Sequence, residues 1–523
     1  VPITQSMLQV AASHPERLAI VGDRLRLTYR QLVDDGARVQ AAVEHLLGPD
    51  RDATTAGIPE AQGRPIVGIC LTDAAQTGRL IAGLAGFGAI SATIDPRWPV
   101  DHQLRVIHRT QMAIVITDST TLRQRLHDWT GKVITSTAFD ELTRTLPSAS
   151  APTVRDGDEP FLLLFSSGTT SAPKGFIRTR REYRYNIAVS SRYLEALDGE
   201  RTLAPGPISY SLTLYALLEV LASGGTCSLS DSFSPIPLVS RMRDEHIERI
   251  VAVPAAVQGI AQAARHEPAA AEHLRLLVTG GANLSASVRE SVQQTFPGVP
   301  LISYYGAAEI GFIGDSRGGD GTRIHPYDGV EISIRDPHGQ PVPDGQIGEL
   351  QVRVPSTAAG YVAALTDEHL VDDAGWATVH DQGRLVDGAL ELVGRPGDIV
   401  VTGGHKVSLP EVERALAEIP GCERSCAVAV PDRTLGSIVV AVIEHDERDA
   451  GAVGLPTNVE QPTKAQLPTK AELLGELRRR LAPQFVPRRF CVVARLPRTV
   501  GGKVRRSETA RLIEVDGPEV TRL

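Results

Sequence analysis

Apolar positions in this chain fall into short unbroken runs and into helical spacings, and the two alternate. Residues 65–71 read as a buried strand, 77–87 as a helix of small residues and 89–94 as the next strand. A turn at Asp95-Pro96-Arg97-Trp98-Pro99, a helix over 101–109 and a strand over 112–117 continue the series. This winding predicts a mostly parallel sheet with helices on both faces, and ligands at the carboxyl ends of the strands. The rhythm returns at 247–253, 274–278 and 301–304. Beyond Tyr327, short strands at 330–334, 348–354 and 390–394, set between turn residues, predict a small β-rich subdomain.

Gly394-Arg395-Pro396-Gly397-Asp398 is the expected boundary, since it joins rigid and permissive backbone positions. After it, strands at 426–430, 438–443 and 489–493 and helices at 410–417 and 470–481 predict a second, smaller α/β domain. Residues 446–468 are polar, rich in Pro, Thr and Gln, and approximately repeated, as in an insertion without catalytic residues. The expected organisation is therefore a large domain over 1–394, a hinge at 395–398 and a small domain over 399–523.

The 523 residues are 42% hydrophobic, which suits a globular chain of two or three domains. A formal charge of -8, from 54 basic and 62 acidic residues, argues against nucleic acid or a membrane surface as the general partner. Five scattered cysteines argue against a disulfide framework or a four-cysteine zinc site, and Cys422 and Cys426 read as two partly buried thiols. With no basic-then-apolar start and no apolar run of membrane-spanning length, a cytoplasmic setting is expected.

Chemistry enters at Phe165-Ser166-Ser167-Gly168-Thr169-Thr170-Ser171-Ala172-Pro173-Lys174-Gly175, directly after the apolar run 161–164. Hydroxyls, backbone N–H groups freed by glycine and the Lys174 cation can converge there on one polyanion. It is not a Walker loop, because Lys174 stands between Pro173 and Gly175 instead of opening a helix after glycine. Tyr304-Tyr305-Gly306-Ala307-Ala308-Glu309 offers an aromatic face for a base and a carboxylate for a metal. Asp381 and Arg395 are an acid and a base suited to ribose hydroxyls, and Lys503 sits in a glycine-rich basic segment, Gly501-Gly502-Lys503.

In order and spacing these segments resemble the adenylate-forming superfamily of acyl-CoA synthetases, nonribosomal-peptide adenylation domains and luciferases. The resemblance runs over nearly the whole chain. It includes Leu27-Thr28-Tyr29-Arg30-Gln31-Leu32, Gly280-Gly281-Ala282, the Gly-Arg hinge and Gly403-Gly404-His405-Lys406-Val407. It implies an α/β fold: a large N-terminal domain of layered α/β subdomains with a small β-rich subdomain, then a small mobile C-terminal α+β domain.

The resemblance also implies roles. Ser166, Ser167, Gly168, Thr169, Thr170 and Lys174 hold the β- and γ-phosphates of ATP; Gly281, Ala282 and Tyr305, with Gly306, form the adenine site; Asp381 and Arg395 hold the ribose. Glu309 binds Mg²⁺, and Lys503 reaches the α-phosphate and the attacking carboxylate. Gly397 is the hinge pivot, and Gly403 and Gly404 leave room for a pantetheine thiol. The reaction implied is acyl- or aryl-AMP formation with release of pyrophosphate, then transfer to a thiol. Coenzyme A is the favoured acceptor, and the phosphopantetheine of an acyl carrier protein in secondary metabolism is the alternative. A carboxylate and a polyphosphate repel one another, so the site must neutralise and align both before in-line attack. Removing such a cation costs on the order of 3 kcal/mol in the transition state, about a hundredfold in rate.

Four positions depart from the family pattern: Ala308 for Thr or Ser, Arg180 for His, Gly397 for Asp or Lys, and Lys406 for Arg. These leave open AMP-activation of another small oxyanion with a non-thiol acceptor. Glu309 and Lys503 argue against a non-catalytic nucleotide sensor. In the acid pocket, Ser211 stands where amino-acid-activating relatives carry Asp, so a buried α-ammonium would lack its partner. Glu219, two helical turns on, is expected to face elsewhere. Tyr210, Val253, Gly280 and Ile310 are the remaining lining candidates, and their apolar character points to a fatty, aryl or similar carboxylic acid as substrate.

Overall fold

In the computed structural model, which describes residues 3–48, 58–166, 173–282, 284, 286–318, 321–394, 396–402, 405–432, 435–445, 467–481, 483–499, 502–515 and 517–523, the unbroken apolar runs become central strands. The chain divides into two units, one of residues 1–284, 288–333 and 351–379, the other of 285–287, 334–350 and 380–523. Residues 395–398, where the hinge is expected, fall within the second.

The first unit holds two sheets. One has six strands in the order Lys132–Ile134, Ile114–Thr117, Ile66–Cys70, Ile90–Thr93, Pro160–Ser166 and Lys174–Thr179. The first five run parallel and the last antiparallel. Ile66–Cys70 is buried at every position, as a strand covered on both faces must be. The other sheet runs Arg323–Pro326, Gly311–Ser316, Leu301–Ala307, Leu276–Thr279, Arg249–Ala252, Arg201–Ala204, Thr226–Leu229, Leu18–Val21 and Arg26–Thr28. Its members from Leu301–Ala307 to Leu18–Val21 are parallel, with antiparallel strands at either side.

The helix Ala74–Leu84 is buried along its whole length because it packs against Leu18–Val21 of one sheet and Ile90–Thr93 of the other. Full burial of Leu80, Ile81 and Leu84 contributes about 2 kcal/mol each. It begins three residues before the expected 77–87, since the Asp73 carboxylate accepts from the Gln76 N–H at 2.8 Å and caps the helix there. Thr28 and Gln31 form a reciprocal capping box that starts Tyr29–Leu47.

In the second unit, the first residues of the strand Gly348–Arg353 pair antiparallel with Gln382–Val386, Gln382–Val386 pairs antiparallel with Ala389–Gly394, and Ile399–Thr402 pairs with His405–Ser408. A four-stranded sheet follows in the order Ser425–Asp432, Gly436–Glu444, Arg489–Val493 and Val520–Arg522. Its strands alternate between two cores. Ala427, Val439, Ala441 and Ile443 pack with Leu409, Val412, Leu473 and Leu477 of Leu409–Ala417 and Lys470–Arg480. Val428, Val440 and Val442 pack on the opposite face with Ile513 of Arg506–Val515. Cys422 belongs to the first core and Cys426 to the second, which separates the two thiols; all five cysteines are buried. Residues 446–466 of the expected insertion lie outside the described residues. No helix among the described residues is long and apolar enough to cross a membrane.

Candidate functional site

Parallel strands end at one edge, and that edge collects the expected residues. Arg201–Ala204, Arg249–Ala252, Leu276–Thr279 and Leu301–Ala307 are parallel neighbours. Beyond or at their carboxyl ends come Tyr210 and Ser211, then Val253, then Gly280, Gly281 and Ala282, then Tyr305 and Gly306 through Ile310. Tyr210 precedes the helix Ser211–Ser223, and its N–H donates to the Pro207 carbonyl at 2.9 Å. Tyr210, Ser211, Val253 and Tyr305 are half-buried, Gly280 and Ile310 are buried, and Gly281 and Ala282 are exposed. A Cβ on Gly280 would fall 2.4 Å from the Tyr304 ring, so glycine is what lets that ring lie against the strand end.

Glu219, expected to face away from the acid pocket, is turned into the interior. It is buried and ion-pairs at 2.8 Å with the fully buried Arg249. Burial pushes the Tyr304 phenol above its ordinary range, and the Glu219 charge adds to the shift. The carboxylate is thus matched internally, which agrees with a pocket not built around an ammonium group.

Glu309 sits on a tight turn between Leu301–Ala307 and Gly311–Ser316 and is 6% exposed. Three successive carbonyls of this turn are held. Ala308 O accepts from Arg178 Nη1 at 2.7 Å, Glu309 O from the Ala358 N–H at 2.8 Å and Ile310 O from Ser356 Oγ at 2.9 Å. Arg178 Nη2 also donates to Ser356 O, and its Nε lies 3.3 Å from the Glu182 carboxylate. Gly306 is required by close approach, because a Cβ there would sit 2.4 Å from the Gly311 carbonyl oxygen.

The hairpin pair Ser166 and Lys174 closes the register of Pro160–Ser166 with Lys174–Thr179. Lys174 Nζ is bonded to the Glu368 carboxylate and stands 5.5 Å from the Tyr361 ring centroid. Tyr361 OH donates to Glu309 Oε1 at 3.4 Å. Tyr361 therefore meets Lys174 over its ring and Glu309 at its hydroxyl, a cation and a hard oxygen ligand within one small region. Ser167, Gly168, Thr169 and Thr170 lie outside the described residues. Glu309 offers one oxygen donor suited to Mg²⁺, an ion commonly held by one or two carboxylates together with substrate phosphates. No larger His, Cys, Asp or Glu cluster suited to a metal occurs among the described residues.

Arg180, the departure from His, lies wholly within the core. It donates to Ala85 O and, at 2.7 Å, to Phe87 O, and its guanidinium covers the Phe161 ring at 5.4 Å. Burial pulls its pKa down to about 10. Its role is to tie the helix Arg180–Tyr193 to the chain beyond Ala74–Leu84.

In the second unit Asp381 is half-buried, and its carbonyl accepts from the Leu350 N–H at 2.8 Å. Arg395, Gly403 and Gly404 lie outside the described residues, as does the side chain of Lys406. Gly397 is exposed in the turn Pro396–Asp398, and no atom of the described residues lies within 4 Å of where a Cβ would stand, so their packing does not demand glycine there. Lys503 is exposed on a turn closed by Arg498 and Val504; its carbonyl accepts from the Thr499 N–H at 2.6 Å and its own N–H donates to Thr499 Oγ1 at 3.2 Å.

Arg178, Tyr361 and Glu368 were not expected from sequence. Arg178 carries a faint signal, a lone cation inside Gly175-Phe176-Ile177-Arg178, whereas Tyr361 and Glu368 sit in a stretch without periodicity.

The AMP-binding enzyme family matches residues 8–362, and the AMP-binding enzyme C-terminal domain matches 411–503. An uncharacterised acyl-CoA ligase of Bacillus subtilis, YhfT, is 26% identical over 98% of each chain. A salicylyl-CoA synthase / salicylate adenylyltransferase of a Streptomyces species is 30% identical over 84% of each. The fold is similar to that of ATP-bound MatB from Rhodopseudomonas palustris, with a TM-score of 0.82, 20% identity and coverage of 98% of this chain and 99% of that one.

Proposed function

The chain belongs to the AMP-binding enzymes, and from that premise we propose how its residues divide the work. It is an ATP-dependent acid ligase of the acid–thiol class. The observation that carries the division is the common carboxyl edge of four parallel strands, together with Lys174 and Glu309, which both meet Tyr361. Ser166 and Lys174, with Ser167, Gly168, Thr169 and Thr170, grip the β- and γ-phosphates. Gly281, Ala282, Tyr305 and Gly306 receive the base, and Asp381 and Arg395 the ribose. Mg²⁺ would supply positive charge to the phosphates when bound, with Glu309 as its protein ligand. Lys503 neutralises the α-phosphate and the incoming carboxylate, which is where charge redistributes during attack. Gly397 is the pivot, and Gly403 and Gly404 give the thiol its passage.

For the acid, the pocket of Tyr210, Ser211, Val253, Gly280 and Ile310 has no free carboxylate among its lining residues, and Glu219 is matched by Arg249. An aryl or fatty acid fits that lining, and the relative named for salicylate supports the aryl choice. Coenzyme A is the proposed acceptor and the cytoplasm the proposed setting. Pyrophosphate exchange across aryl, fatty and amino acids tests the first step, with exchange expected for aryl or fatty acids; exchange restricted to amino acids would overturn the pocket reading. Lys503→Ala is expected to lose about a hundredfold or more in exchange rate while still binding ATP. Product analysis with coenzyme A against a holo carrier protein decides the acceptor.

A further inference from the structure

We infer that Arg506 is a positioning residue which fastens the turn Pro396–Asp398 to the segment carrying Lys503, so that pivot and lysine travel as one piece. The inference rests on the proposed roles of Lys503 and Gly397 and adds the element that connects them.

Arg506 opens the helix Arg506–Val515, three residues after Lys503. Its guanidinium reaches three separate segments. Nη2 donates to both carboxylate oxygens of Glu413 at 2.9 and 2.8 Å, and Nε donates to Ala427 O at 3.0 Å. Nη1 donates to the Asp398 carboxylate. Glu413 is further fixed by the Ala427 N–H at 2.8 Å. The planar fork of arginine can serve these acceptors together, which the single ammonium of lysine cannot.

The arms have different consequences. Glu413 and Ala427 lie in the body of the small unit, on Leu409–Ala417 and Ser425–Asp432, and holding them secures the fold. Asp398 is adjacent to Gly397, where nothing among the described residues packs within 4 Å of a prospective side chain. A charged tie placed one residue beyond an unpacked glycine limits bending to that glycine and its predecessors. From Arg506 toward Lys503 the chain is also braced, since the Arg505 N–H donates to Pro497 O at 2.8 Å and Arg498 pairs with Val504. The path from pivot to lysine is thus one backbone step from Gly397 to Asp398, one ion pair and three backbone steps from Arg506 to Lys503. Asp398 and Arg506 are partly accessible, at 22% and 24% side-chain exposure, so the tie can be cut without opening a core.

The test uses the full chain with Asp398→Asn, Arg506→Gln, Arg506→Lys, the Asp398→Asn/Arg506→Gln double variant and Lys503→Ala. Asp398→Asn is expected to lower kcat for pyrophosphate exchange about tenfold, with KM for ATP and acid within about twofold and the thermal midpoint nearly unchanged. Arg506→Gln is expected to be slowed at least as much, Arg506→Lys not to restore the rate, and the double variant to be no slower than Arg506→Gln. If Lys503→Ala abolishes exchange while Asp398→Asn keeps full kcat, the tie plays no part in the chemistry and the inference falls. It also falls if the two single effects simply multiply. Unimpaired exchange in Lys503→Ala would instead remove the proposed role of the lysine itself, a result separate from the first.

Discussion

Replacing Arg178 by methionine keeps a long apolar stem and deletes the guanidinium that holds the Glu309 turn. Two donated hydrogen bonds disappear, to Ala308 O and Ser356 O, together with the 3.3 Å approach to the Glu182 carboxylate. Charged hydrogen bonds contribute roughly 1.5–3 kcal/mol each, so the gross loss is about 3–6 kcal/mol. The wild-type guanidinium is fully buried and its desolvation opposes this, while Glu182 keeps the Thr179 N–H at 2.9 Å. A net loss of about 2–4 kcal/mol follows. Urea unfolding reads it as a lower midpoint at unchanged slope. Pyrophosphate exchange should fall with it, and the Mg²⁺ concentration for half-maximal rate should rise, because the backbone turn that presents the Glu309 carboxylate is no longer held by Arg178. A stability loss under about 1 kcal/mol with an unaltered Mg²⁺ profile would refute the idea that Arg178 fixes this turn.

Glu368→Gln removes the carboxylate paired with Lys174, and KM for ATP is expected to fall roughly two- to fivefold, less so at high salt. A higher KM would mean that Glu368 supports the lysine instead of competing with phosphate for it. Burial pushes the thiols of Cys70, Cys227 and Cys422 up to about 12, so a thiol reagent at pH 8 should leave these three unmodified in the native protein and label them after denaturation. Labelling of these three thiols in the folded state would contradict their placement.

The strands of the first unit were legible because their apolar runs are longer than chance and bounded by turn residues, as at 65–71 and 112–117. The start of Ala74–Leu84 was misplaced because a single cap, Asp73, outweighs an apolar spacing that begins later. The strand Lys174–Thr179 begins within the loop read over 165–175, since its strand character depends on pairing with Pro160–Ser166. Site residues that act through backbone or charge at long range, such as Arg178 toward Ala308 or Arg506 toward Asp398, leave no local periodicity to read. The type of chemistry was visible in sequence, whereas the side chains that brace it were not.

The four parallel strands behind the proposed acid pocket carry a further consequence. Their hydrogen-bond ladder runs through backbone positions such as Leu203, Ile250, Leu277 and Leu301, whereas Tyr210, Ser211 and Val253 lie beyond the strand ends. In the proposed division of roles, selectivity and foldability are thereby written at different positions. Substitutions at 210, 211 and 253 can explore new acids without disturbing strand pairing, so this scaffold can change its diet by mutation while its sheet stays under independent selection.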